Sequence, residues 1–137
     1  EEIEMLKRIQ KSHPIDELDA VISGEELRAL QARVRDIHVE ASVCRYIVQI
    51  TEATRVHNHV YLGASPRGSI ALFRTAQALA FMCGREFVIP DDVKRLAPLT
   101  LRHRMLLKSE ARLNGISPDQ VLQDVLGRIP VPVERGK

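Results

Sequence analysis

Apolar residues recur at intervals of three and four along most of this chain, which is the spacing of one face of an α-helix. The spacing predicts helices over residues 1–11, from about residue 25 to 37, and over 41–55. Ser23 and Glu26 precede the second helix as a capping box, in which each side chain binds the other residue's backbone N–H. The third helix carries its apolar face at Val43, Tyr46, Ile47 and Ile50.

A fourth helix is predicted to begin at Pro66, after a bend at Gly63 and with Ser65 as its N-cap residue. It is predicted to end at Gly84, because glycine suits the left-handed turn that closes many helices. The apolar stripe consists of Leu72, Phe73, Ala76, Leu79, Ala80 and Cys83. Its alanines allow neighbouring helices to approach closely, so this helix is predicted to be the central element.

Two further helices are predicted, a brief one over residues 90–97 and one that follows Ser117 and ends before Pro130. Residues 87–89 form at most a small extended segment. The pattern therefore predicts an all-α fold, a small helical bundle with at most a very short extended pair.

The expected organisation is a first helix over 1–12, a connector over 13–24, a helical domain over 25–132 and a disordered tail over 133–137. Because the chain begins with Glu1 rather than Met, we expect it to be a piece of a longer polypeptide.

Composition adds that 137 residues, 45% of them hydrophobic and 28% charged, suit one soluble domain. No apolar run approaches the roughly 18 residues of a membrane span, and no signal peptide opens the chain. Cys44 and Cys83 lie in apolar stretches, so we expect them to be reduced core thiols of a cytoplasmic protein.

Charge is unevenly distributed along the chain. Residues 1–40 carry 10 acidic and 6 basic side chains, whereas residues 41–137 carry 8 acidic and 14 basic ones. The basic part favours an anionic ligand, whether a nucleotide, nucleic acid or an acidic protein surface. A solvated basic face without a ligand accounts for the charges equally well.

Arg67 is the residue most suggestive of a binding site. It falls in the first turn of the fourth helix, where a cation opposes the helix dipole at a cost of a few tenths of a kcal/mol. The free N–H groups of that turn attract anions, so an added guanidinium there indicates a phosphate or carboxylate ligand. The alternative is a surface arginine that reaches into solvent or pairs with a nearby carboxylate.

The histidines give weaker indications. His57 and His59 would point the same way from an extended loop, as a metal pair requires, but no third ligand is evident, and solvated loop histidines are favoured. His103 lies in the basic cluster at 101–104, where we expect the basic side chains to meet the last carbonyls of a helix. The cluster could instead orient a phosphate or an acidic partner.

The motifs of self-contained catalysis are absent from this sequence. It has no GxxxxGK[ST] phosphate loop, no GxGxxG turn, no GxSxG elbow and no zinc-type Cys/His spacing. The chain is therefore expected to be inactive alone and to contribute groups to another domain's site; no metal site is expected within it.

Three motifs together resemble the lid domain of MoxR-type AAA+ ATPases, in order and spacing, over most of residues 3–132. They are Gly-Ala-Ser-Pro-Arg at 63–67, then Gly84, Arg85, Val88, Pro90, Asp92 and Val93, then Leu-Arg-His-Arg at 101–104. The resemblance implies a helical module that follows a nucleotide-binding core, with 1–12 as the first helix after that core. It also implies that Arg67 is the catalytic sensor 2 arginine, and that Ser65 and Pro66 join it in nucleotide binding.

The same resemblance implies further properties of the parent protein. The core would hold ATP and Mg²⁺, and the whole would be a cytoplasmic, chaperone-like ATPase that assembles into a ring, often a hexamer. Its partners would be that core, neighbouring subunits and proteins with von Willebrand factor A domains.

Two departures from the family pattern stand in this sequence. Ile89 replaces a hydroxyl residue that would cap the helix at Pro90, and Gly68 is expected to loosen the turn that carries Arg67.

Two other functions remain open from sequence alone. A helical nucleic-acid-binding module would read its target with residues 90–97, although Asp91 and Asp92 would repel phosphate there, so nucleic acid is not the expected partner. A protein-interaction bundle agrees with everything except the placement of Arg67.

Overall fold

A computed structural model describes residues 1–9, 15 and 18–132 of the chain. These residues divide into two compact units, Glu1–Ala32 and the part from Arg33 onward. The predicted end of the first helix, near residue 11, and the expected tail over 133–137 lie outside the described residues.

The N-terminal unit contains α1 (Glu2–Ile9) and most of α2 (Gly24–Arg35), which runs across the boundary. The capping box predicted before α2 is confirmed. The Glu26 N–H donates to Ser23 Oγ over 3.1 Å, and the Ser23 N–H donates to the Glu26 carboxylate over 2.8 Å. α2 contains no buried residue, so its apolar stripe does not face a core within the described chain.

The second unit is helical, as predicted, with one very short pair of strands. Its elements in order are α3 (Ala41–Val56), β1 (Val60–Leu62), α4 (Pro66–Met82), α5 (Pro90–Leu101), a 3₁₀ turn (Arg102–Arg104), β2 (Leu106–Leu107), α6 (Ser109–Leu113) and α7 (Pro118–Arg128). The two strands are antiparallel, with Val60 opposite Leu107. At 87–89, where an extended segment was considered, the structure has a single bridge between His38 and Phe87.

Helix α4 packs against both α3 and α5 and is central, as its alanines predicted. Leu72, Ala76 and Ala80 are fully buried. The helix ends at Met82 and is closed by Gly84, as predicted: with a φ of 71° at Gly84, the N–H groups of Gly84 and Arg85 donate to carbonyls of the last turn in a Schellman motif. The expectation of a core thiol at Cys83 is wrong, because this residue caps the helix and is exposed; Cys44 is half-buried.

The core lies between α3, α4, α5 and α7, and one buried residue from each strand closes it. α7 begins directly after Ser117, as predicted, and reciprocal bonds between Ser117 and Gln120 form a capping box there. At the start of α5, Ile89 has no side-chain acceptor, yet its N–H donates to the Asp92 carboxylate over 3.0 Å. Of the described helices, none is long and apolar enough to cross a membrane.

Candidate site at the start of α4

Arg67 is exposed in the first turn of α4, and its side chain makes no hydrogen bond or ion pair with any residue that the structure describes. Ser65 is the N-cap residue and Pro66 the first helical residue, both as predicted. The Ser65 carbonyl accepts the Gly68 N–H over 2.7 Å, whereas its hydroxyl makes no capping bond. Pairing of Arg67 with a neighbouring carboxylate is therefore excluded within the described chain.

The segment that leads into this turn is bound tightly to the end of α3. Ala64 is completely buried, its N–H donates to Thr54 Oγ1 over 3.0 Å, and its carbonyl accepts Arg55 Nε–H over 2.7 Å. Gly63 lies so close to α3 that an added Cβ would be 2.6 Å from the Cα of Arg55. Only glycine fits this position without moving the backbone.

The segment that follows Arg67 is also held. Gly68 is buried, and a Cβ added there would lie 3.1 Å from the Cβ of Ala64 and 3.2 Å from Leu101 Cδ2. The expectation that Gly68 loosens the turn is replaced by a packing reason: its missing side chain lets α5 approach. Ser69 then shares a 2.8 Å hydrogen bond with Thr51 of α3.

Three arginines lie on or against this turn without a carboxylate partner among the described residues: Arg55, Arg67 and Arg104. Arg104 Nε–H donates to the carbonyl of Thr100, and its Cδ would lie 3.9 Å from a Cβ at Gly68. Elsewhere in the described chain some basic residues have acidic partners and others, such as Arg45, do not; the paired ones are Arg85, Lys94, Arg102 and Arg128. The surface at the start of α4 is thus positively charged and suited to an anion.

The histidine pair has a structural role that the sequence did not show. His57 is not a solvated loop residue: its side chain is 6% exposed, and Nε2 lies 2.8 Å from the Asp124 carboxylate of α7. Its Nδ1 accepts the backbone N–H of His59 over 3.2 Å. Within the described chain, no three His, Cys, Asp or Glu side chains are grouped so that they could hold a metal ion.

The basic cluster at 101–104 forms the 3₁₀ turn after α5. Its bond to a helix-end carbonyl, from Arg104 to Thr100, is of the expected kind. Arg102 lies 4.0 Å from Asp119 of α7, and His103 is exposed. The turn therefore joins α5 to α7 and brings one of its arginines to the start of α4.

The structure thus places Ser65, Pro66 and Arg67 together on one turn, whose flanking residues are bound to α3. Sequence reasoning missed Thr54 and Arg55, which hold that turn, because nothing in a helical pattern distinguishes a threonine that binds a distant backbone from one that does not. The bend marked by Gly63 was the available signal.

Comparison with known proteins identifies the family of this bundle. Residues 52–125, more than half of the chain, match the AAA lid domain family. The chain is 45% identical over 135 residues to the uncharacterised protein YeaC of Bacillus subtilis, covering 98% of this chain and 42% of that protein. It is 33% identical over 141 residues to chaperone MoxR1 of Mycobacterium tuberculosis, covering 96% of this chain and 37% of MoxR1.

A solved structure agrees with these relatives. The chain superposes on a proposed ATPase of Cytophaga hutchinsonii with a TM-score of 0.83 and 27% identity, over 96% of this chain and 43% of that one. The chain spans about two fifths of the length of each of these proteins. The chain therefore belongs to the AAA lid domain family, and it is the lid domain of a MoxR-type AAA+ ATPase.

Proposed function

We propose that Arg67 is the sensor 2 arginine of its parent ATPase and contacts the γ-phosphate of ATP held by the nucleotide-binding core. The observation that carries this proposal is an exposed guanidinium without a partner among the described residues, mounted on a turn that is bound on both sides. A side chain placed only for stability would be expected to have an ion-pair or packing partner.

Arg67 stabilises the negative charge of the phosphate through directional hydrogen bonds. Its planar guanidinium donates two parallel N–H groups to phosphate oxygens, and such charge-assisted bonds are about twice as strong as neutral ones. Because the bonds depend on the γ-phosphate, their loss after hydrolysis leaves the lid free to change its angle to the core. Ser65 and Pro66 contribute by starting the helix so that Arg67 stands in its first turn.

The described residues fit only a part of the nucleotide site. An unpaired guanidinium suits phosphate oxygens, whereas no described group of acidic side chains is arranged to bind Mg²⁺. When bound, ATP supplies the transferable phosphoryl group and Mg²⁺ neutralises part of its charge. The remaining contacts to both are assigned to the core.

The test is the Arg67→Ala variant of the full-length protein. We expect its kcat for ATP hydrolysis to fall roughly a hundredfold, the usual loss for one preorganised donor. Its free energy of unfolding should stay within about 0.5 kcal/mol of wild type, since the side chain is exposed and makes no hydrogen bond or ion pair with a described residue. Arg67→Lys, which keeps the charge without the planar fork, should recover only a part of the rate.

Arg45 offers a matched control for this experiment. It is exposed and unpaired within the described chain, but it lies on α3 nine residues, or about 14 Å, before Thr54. Arg45→Ala is expected to hydrolyse ATP at the wild-type rate. Wild-type turnover by Arg67→Ala would contradict the proposed function.

For the parent protein as a whole, we propose a cytoplasmic, ring-forming ATPase that remodels partner proteins, some with von Willebrand factor A domains. Membership of the AAA lid family and the chaperone name of MoxR1 support the general role. Light scattering of the full-length protein with a slowly hydrolysed ATP analogue tests assembly, and a hexamer is expected. A protein that stays monomeric with ATP analogue, with ADP and without nucleotide would contradict the proposed ring assembly.

A further inference from the structure

Two adjacent residues near the end of α3 satisfy both backbone groups of one residue in the loop before Arg67. Thr54 Oγ1 accepts the N–H of Ala64, and Arg55 Nε–H donates to its carbonyl. Thr54 Oγ1 also donates to the Thr51 carbonyl over 2.6 Å, which uses its proton and leaves a lone pair for the Ala64 N–H. The hydroxyl can make both bonds only in this arrangement.

The same part of α3 holds the chain on either side of the arginine. Gly63 packs directly on the backbone of Arg55, Arg67 follows Ala64 by three positions, and Ser69 is bound to Thr51. The anchored residues therefore bracket the first turn of α4. A guanidinium on a turn that is anchored before and after it occupies fewer positions than one on a free loop, so it is better preorganised to bind a phosphate.

We infer that Thr54 and Arg55 are positioning residues for phosphate contact by Arg67, an inference that rests on the function proposed above. Thr54 is fully buried, so it acts through Ala64 and not on the nucleotide. The exposed Arg55 uses its Nε for the Ala64 carbonyl and acts through the same residue. Thr54 and Arg55 thus fix the position of the first residues of the turn, and the turn fixes the position of the Arg67 side chain.

A purely structural role makes a different prediction, and kinetics separate the two. Thr54→Val in the full-length protein keeps the shape of the side chain but removes the acceptor for the Ala64 N–H. We expect kcat for ATP hydrolysis to fall roughly tenfold while KM for ATP stays within about twofold, because Arg67 is misplaced and the core still binds nucleotide. Thr54→Ser keeps the hydroxyl and should recover most of the lost rate.

Combining the changes identifies the residue through which Thr54 acts. If Thr54 works through Arg67, the double variant Thr54→Val, Arg67→Ala will turn over no more slowly than Arg67→Ala alone. Rates that multiply in the double variant would overturn the inference. Arg55→Met, compared with Arg55→Lys, supplies a second test at an exposed position if Thr54→Val fails to fold; Lys should recover rate and Met should not.

Failure of the inference can be told apart from failure of the proposed function. A slow Arg67→Ala with wild-type rates in folded Thr54→Val and Arg55→Met would overturn the inference and leave the role of Arg67 in place. A wild-type rate in Arg67→Ala would overturn both.

Discussion

At the scale of single residues, the second family motif is explained by one ion pair. Arg85 Nη1 and Nη2 donate to the two carboxylate oxygens of Asp92 over 2.8 and 2.6 Å, and Nη1 also donates to the carbonyl of Phe87. The Asp92 side chain is 7% exposed and accepts the N–H of Ile89 as well. This network sets the end of α4 against the start of α5. Asp92 supplies the half of a capping box that binds the N-cap N–H, and its own N–H bonds to the Ile89 carbonyl over 3.1 Å instead of to a capping hydroxyl.

Replacing Arg85 by alanine should therefore be costly. It leaves a buried carboxylate with one backbone donor, the Ile89 N–H, and we expect a loss of about 2–3 kcal/mol in the free energy of unfolding, measured by urea denaturation. Lys94→Ala is the matched control, since its 3.5 Å pair with Asp91 is exposed and should contribute less than about 0.5 kcal/mol. Equal losses in the two variants would contradict the role given to the Arg85 network.

A second residue-scale prediction concerns Asp124 and acid. The hydrogen bond from His57, followed by that from Arg128, lowers the pKa of the Asp124 carboxyl below its ordinary value. A carboxyl with a lowered pKa stabilises the folded state above its unfolded pKa, and this contribution is lost as the pH falls through the folded value. Between about pH 5 and pH 3, the Tm of Asp124→Asn should thus fall less steeply than that of wild type. If the Tm of the variant and that of wild type fall in parallel with pH, the role given to the Asp124 carboxylate is contradicted.

At the scale of elements, local signals in the sequence were sufficient where a helix end is made by neighbouring residues. The ends marked by Ser23, Ser117 and Gly84 were predicted correctly because each is fixed by bonds within a few positions. β1 and β2 were not located, since their pairing joins residues more than 40 positions apart. The contact of His57 with Asp124, 67 positions away, was missed for the same reason. The α3 bonds to Ala64 span only 9 and 10 positions, but they cross a bend, and helical spacing does not show which side chains meet across it.

A substitution at Gly68 tests how closely α4 and α5 approach each other. An alanine is a better helix former by about 1 kcal/mol, but its Cβ would press on Ala64 and Leu101, which are fully buried and have little room to move. We expect Gly68→Ala to lower the free energy of unfolding by about 1 kcal/mol. Gly24→Ala, where a Cβ meets nothing within 4 Å, should be neutral or stabilising. A stabilised Gly68→Ala would show that α5 is not held against α4 here.

At the scale of the whole molecule, stability is concentrated in one unit. All buried apolar residues of the core cluster lie at or after Ile37, and the first of them is tied inward by a buried side chain: Gln77 Nε2 donates to the Ile37 carbonyl over 2.8 Å. Arg33 lies over the Phe81 ring at 5.2 Å. The second unit therefore contains everything that its core requires, from Arg33 onward.

Truncation tests whether the core needs the residues before Arg33, because opposite results are expected for fragments that begin at two nearby residues. A fragment that begins at residue 33 keeps Ile37 and should unfold cooperatively within about 1 kcal/mol of the whole chain. A fragment that begins at residue 41 exposes core surface and leaves Gln77 without its buried acceptor. It should lose about 2–4 kcal/mol, measured by urea denaturation. If both fragments lose stability equally, the core depends on the first 32 residues; if neither does, Ile37 contributes nothing to it.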